Sequence, residues 1–240
     1  MVKTPGFCRH IEKEWLEQSL RWTANGATPA QLNTNIENFL SQFIATKENR
    51  RKARNLLTSI WMSPSDTSFD GFFQKSLMLH KNADSYSLPI HWGMLIAKKP
   101  FFAEVARCIG RQTRLNDTFT FAQAYRRMSM LYGETESTSR ALRAVLRTMI
   151  ELGVLIRDHR TSSYEISNMR EPVCENIANW LLYARFISTS SESMNLEEAI
   201  NDKVFFPFAL NLSAYSLDMS QFEQLQQGSS VIVFKKRYSA

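Results

Sequence analysis

Apolar residues recur three and four positions apart along most of this chain, a spacing that predicts a mainly helical protein. Over residues 10–24 the apolar set is Ile11, Trp15, Leu16, Leu20 and Trp22, and Asn25-Gly26 supplies a left-handed stop. Thr28-Pro29 restarts a helix, with a cap followed by a proline at the first helical position. That second helix is expected to gather Leu32, Ile36, Phe39, Leu40 and Phe43 on one face. A third, over residues 47–62, carries Leu56, Leu57, Ile60 and Trp61. Together they predict an N-terminal helical bundle spanning residues 1–65, closed by a Ser-, Pro- and Asp-rich stretch.

Short helices are expected over residues 72–79 and 89–97, and a longer one from 101 to about 115. From there the pattern becomes more specific. Thr118-Phe119-Thr120 reads as a short strand, and residues 121–132 as a helix with Ala124, Met128 and Leu131 inward. A turn follows at Gly133, and then a helix capped by Ser137, Thr138 or Ser139. After Gly153 the period changes from helical to alternating: VLIRDH and SYEIS flank the polar turn Arg160-Thr161-Ser162, as in a hairpin. Helix, strand, helix, turn, helix, strand, hairpin tip, strand is the order of a winged helix-turn-helix, expected within residues 66–170.

Residues 171–240 read as a small α+β region. Helices are expected over 173–187 and 196–203, FALNLSAY is strand-like, MSQFEQLQ helical, and SSVIVFKKR a strand after Gly228. The final strand either closes a small sheet or offers an edge to another chain.

Charge sharpens the middle of this picture. The chain carries 29 Lys and Arg against 23 Asp and Glu, a net charge of +6. Between Lys98 and Arg170 lie 13 basic and 7 acidic residues, so this third holds the whole excess. On a helix turning about 100° per residue, Arg140, Arg143 and Arg147 fall within roughly 60° of one another, while Leu142, Val145, Leu146, Met149 and Leu152 gather on the opposite side. The arginines are then expected to face outward, where a guanidinium fork suits phosphates and guanine edges. Arg126, Arg127, Arg157, His159 and Arg160 lie on elements expected to adjoin the same surface. A second basic run, KENRRKAR at residues 47–54, reads either as a helix start or as a further contact. If six to ten such groups meet phosphates, affinity falls by about three to five orders of magnitude between 50 and 200 mM salt.

Signatures of catalysis and cofactor binding do not emerge from the sequence: there is no Walker loop, GxGxxG, HExxH, GxSxG or PD…ExK pattern. The four histidines are far apart, and Cys8, Cys108 and Cys174 lack CxxC spacing, so neither a metal nor a cofactor is expected. No segment approaches the roughly 20 apolar residues that cross a membrane. A soluble, cytoplasmic, non-catalytic protein with reduced cysteines is the expectation.

Three blocks resemble the BrxA-type proteins of bacteriophage exclusion (BREX) defence systems. They are WLEQSLRWTANGATPAQLNTNI with NRRKARNLLTSIW, then IHWGMLIAKKPFFAEVARCIGRQ, then STSRALRAVLRTMIELGVL. They fall within about residues 14–155. The resemblance implies a non-catalytic subunit of a multi-gene phage-defence locus that binds double-stranded DNA and works beside other subunits of a defence complex. It implies contacts from Arg50, Arg51, Lys52, Arg54, Arg140, Arg143 and Arg147. Two other readings use the same elements: a transcriptional regulator, which needs a two-fold dimer and a palindromic site, and a scaffold whose winged helix binds protein.

Overall fold

A computed structural model describes residues 4–62, 67–82, 87–112, 118–158, 160–167 and 171–236. It is mainly helical, with a small sheet-containing C-terminal region. The two expected boundaries, near residues 65 and 170, and the Ser-, Pro- and Asp-rich stretch at the first of them touch residues outside the described set. Among the described residues no helix is long and apolar enough to cross a membrane.

Helices α1 (Lys13–Ala24), α2 (Pro29–Leu40) and α3 (Lys47–Trp61) pack on one another. Leu16, Leu20, Leu32, Ile36, Leu57, Ile60 and Trp61 fill the space between them. Thr28 and Gln31 close a reciprocal capping box at the start of α2. The chain enters α1 as an extended segment, so the helix expected from residue 10 begins three residues later. This entry segment buries Phe7 and Ile11. Because α2 ends at Leu40, Phe43 lies beyond its apolar face and is 47% exposed.

Helices α4 (Thr67–Asn82), α5 (Ser87–Lys98) and α6 (Pro100–Gln112) are longer or earlier than their apolar runs suggest. Every residue of α5 from Pro89 to Ile96 is buried, which makes it the central helix. On one side it meets α9 (Glu175–Thr189) so closely that a Cβ added at Gly93 would stand 2.1 Å from the Trp180 ring. Trp180 stacks on Phe72 of α4 at 4.7 Å and donates its indole N–H to the Phe72 carbonyl at 3.1 Å. The buried apolar residues form one continuous cluster running from Phe7 to Val233.

Strand β1 (Thr118–Thr120), helices α7 (Phe121–Tyr132) and α8 (Glu136–Glu151), and strands β2 (Leu155–Asp158) and β3 (Ser163–Ile166) follow α6. The strands form an antiparallel sheet in the order β1-β3-β2, with Phe119 and Arg157 both paired to Tyr164. The inward face of α7 is Ala124, Met128 and Tyr132; Leu131, expected inward, is 52% exposed, because Tyr132 fills that position by packing edge-on against Phe101.

In the C-terminal region β4 (Glu171–Pro172) runs parallel to β6 (Phe208–Ala209). Strand β5 (Ser193–Asn195) and helix α10 (Leu196–Ile200) precede a hairpin of β7 (Phe222–Gln227) and β8 (Ser230–Lys235). This corrects the helix expected over MSQFEQLQ. Its Glu, Gln and Leu favour a helix locally, but Gly228 at φ +62° closes a tight hairpin and Phe222 is buried beside Tyr183 and Phe186. The run FALNLSAY is a strand only at Phe208–Ala209. Strand β8 lies at the centre of the order β5-β8-β7, so the edges of this sheet are β5 and β7.

Candidate nucleic-acid interface

The N-cap of α8 is Thr135, whose hydroxyl accepts from the Thr138 N–H at 3.1 Å. The cap is thus two residues earlier than the Ser137 to Ser139 run suggests. Thr138 is instead buried in the first turn, its hydroxyl donating to the Tyr132 carbonyl at 3.3 Å. At the other end Gly153, at φ +74°, closes a Schellman turn: Val154 N–H donates to Met149 O at 2.9 Å and Gly153 N–H to Ile150 O at 2.8 Å. That turn sends the chain directly into β2. Leu142, Val145, Leu146 and Met149 are buried, which leaves Arg140, Arg143 and Arg147 on the outer face.

The three arginines differ in their surroundings. Arg140 is 70% exposed and ion-paired with Glu136 one turn earlier; Arg147 is 59% exposed, with Glu151 at 3.6 Å one turn later. Arg143, between them, has no carboxylate of the described residues within ion-pair distance. Its guanidinium instead lies over the Phe121 ring at 4.3 Å. An open groove of about 580 Å³ runs between α8 and the β2–β3 hairpin, lined by Arg143, Arg147, Ile150, Glu151, Leu155, Ile156, Arg157 and Tyr164. Arg157 is exposed on β2, 5.9 Å from the Tyr164 ring centre, and Tyr164 in turn stacks on Phe119 at 5.3 Å.

The hairpin tip is shaped by Asp158, which accepts from Arg160 N–H at 2.8 Å and from the Thr161 hydroxyl at 2.7 Å. Arg160 is exposed there, while His159 lies outside the described residues. Arg126 and Arg127, expected beside the same surface, are exposed on α7 and line a separate groove of about 470 Å³ with Gln112, Thr118, Gln123 and Met130. Among the described residues the two grooves share no lining residue.

The basic run on α3 is divided. Arg50 donates its Nε to Glu37 of α2 at 3.1 Å and its Nη1 to the carbonyls of Ile44 and Ala45 at 2.8 and 2.9 Å, and Arg54 reaches the other Glu37 oxygen at 3.3 Å. These two guanidinium groups fasten α3 to α2 instead of forming an outward row. Arg51 and Lys52 are exposed and share Glu48. Other cations of the central excess are also spent internally. Lys98 packs its amine against the Phe69 and Phe73 rings and donates to Met62 O, and burial lowers its pKa to about 8. Arg107 bridges Glu104 and Asp202.

Sequence reasoning missed two features. One is the ring support under Arg143 and Arg157; Phe121 and Tyr125, four apart at the start of a helix, are a signal that could have shown the first. The other is the entry segment, for which no local signal exists. Ile11 N–H donates to the Thr148 hydroxyl of α8 at 2.9 Å, and His10 is held down to about 4, first by burial and then by the charges of Arg147 and Arg9. Burial, together with the nearby Glu151, raises the Glu12 carboxyl.

No family model, curated protein or solved structure matches the chain.

Proposed function

We propose that α6 to α8 with β1 to β3 form a winged helix-turn-helix that binds double-stranded DNA, carried beside an N-terminal helical bundle built from α1 to α3. In this reading the protein is a non-catalytic component of a bacterial anti-phage defence system and acts with other subunits of a defence complex. The observation that carries the DNA reading is the outward row Arg140, Arg143 and Arg147 beside a hairpin that exposes Arg157 and Arg160. A helix in the major groove with a hairpin against the backbone is how such a domain docks. The resemblance of residues 14–155 to BrxA-type proteins supports the defence role.

The flanking pairs do not cancel the row. Exposed i,i+4 ion pairs are worth a few tenths of a kcal/mol, while each phosphate neutralised releases counterions from the duplex. Exchange of Glu136 for a phosphate is therefore favourable at low salt. A protein-binding scaffold is the second reading, favoured by the outward Leu225 and Phe234 on the C-terminal sheet.

A gel shift with a duplex of random sequence at 50 mM salt separates the two. A shift for the wild type that is lost in the Arg140→Ala, Arg143→Ala, Arg147→Ala triple variant supports DNA binding through α8. Equal shifts for both proteins, or none for either, reject it.

A further inference from the structure

Among the three outward arginines, Arg143 is held differently from its neighbours. The forks of Arg140 and Arg147 are turned toward carboxylates on their own helix. The Arg143 guanidinium instead lies over the Phe121 ring, with Cζ 4.3 Å from its centre. Such a cation–π contact anchors the group beside the ring without an ion pair to a carboxylate, so its N–H donors are not committed to one. The support is itself braced. Phe121 stacks on Tyr125 with planes 10° apart, and the Tyr125 hydroxyl donates to the carbonyl of Thr135, the residue that caps α8. The ring pair is tied to the helix whose arginine it carries.

We infer that Arg143 is the base-reading residue of the α8 row and takes the N7 and O6 edge of a guanine in the major groove, while Arg140 and Arg147 meet phosphates. This rests on the DNA reading above and deepens it. A bidentate contact is favoured by a fork that is held in place before binding and whose donors are not shared with a carboxylate. Arg143 meets both conditions. Arg140 and Arg147 do not, and a phosphate, which tolerates many approach angles, suits them better.

The test has two stages: selection of bound sites from a random duplex pool with the wild type, then affinity measurements on the selected site with each guanine replaced in turn by 7-deazaguanine. For the wild type, one replacement is expected to weaken binding roughly 5- to 150-fold, the range for a good bidentate pair. In Arg143→Ala that replacement costs nothing, and in Phe121→Leu, whose folding is checked by thermal melting, it costs less than in the wild type. Arg140→Ala and Arg147→Ala are expected to weaken all duplexes alike and keep the preference. A wild type that binds duplexes with no guanine preference, or an Arg143→Ala protein that retains it, overturns this inference and leaves the DNA reading standing. A wild type that binds no duplex overturns both.

Discussion

Glu37 decides the fate of two arginines that the sequence presents as free cations. Its two oxygens take Arg50 and Arg54, so those groups join α2 to α3. Glu37→Ala is expected to cost about 1–2 kcal/mol, between the values for exposed and buried pairs, and to lower Tm by roughly 2–8 °C. DNA affinity should stay unchanged. A rise in affinity at constant Tm would instead mark Arg50 and Arg54 as DNA contacts for which Glu37 competes. His10 offers a second check at this scale. Its ordinary pKa is about 6.5 and its folded value about 4, so between those values the unfolded chain binds more protons. The stabilising effect of keeping His10 neutral is complete above about pH 6.5 and is lost as pH falls toward 4. Urea midpoints followed from pH 7 to 4 should drop more steeply for the wild type than for His10→Gln; parallel curves would contradict the half-buried placement.

Helix α8 owes its position to its ends as much as to its apolar stripe. Thr135→Ala removes the cap and is expected to cost about 1 kcal/mol, seen as a lower melting temperature. An unchanged Tm would show that the first turn is held by Thr138 alone. Helix α5 is limited by space. Gly93→Ala would drive a methyl into the Trp180 ring and should cost about 3 kcal/mol or more, because the ring is fixed by its stack on Phe72 and its hydrogen bond to the Phe72 carbonyl. A near-native denaturation curve for that variant would contradict the α5–α9 packing. Elements with strong periodicity and local punctuation were legible in the sequence: α2 from Thr28-Pro29, α7 from its apolar spacing, β2 and β3 from alternation around a polar turn. Strand β7 was not, because its Glu, Gln and Leu favour helix and only pairing with β8 and burial of Phe222 reverse that preference.

Across the whole molecule, the sequence located the basic third of the chain but not which of its charges are spent internally. Lys98 and Arg107 of that third, like Arg50 and Arg54 outside it, lie against partners on other elements, and no local pattern reveals such contacts. The row on α8 was legible because its outward direction follows from helix phase alone. Phe121 under Arg143 was not read there, since aromatic residues at helix starts usually pack into a core. The central claim is that this row meets phosphates and a base edge, and salt dependence tests it most directly. Binding of a duplex is measured by fluorescence anisotropy from 50 to 200 mM salt, for the wild type and for the Arg140→Ala, Arg143→Ala, Arg147→Ala variant. Each phosphate contact contributes about −0.9 to the slope of log K against log salt. The account predicts a steep wild-type slope that becomes shallower by roughly 2 in the variant, from its two phosphate contacts, with lower affinity throughout. Identical slopes and affinities for the two proteins would contradict it.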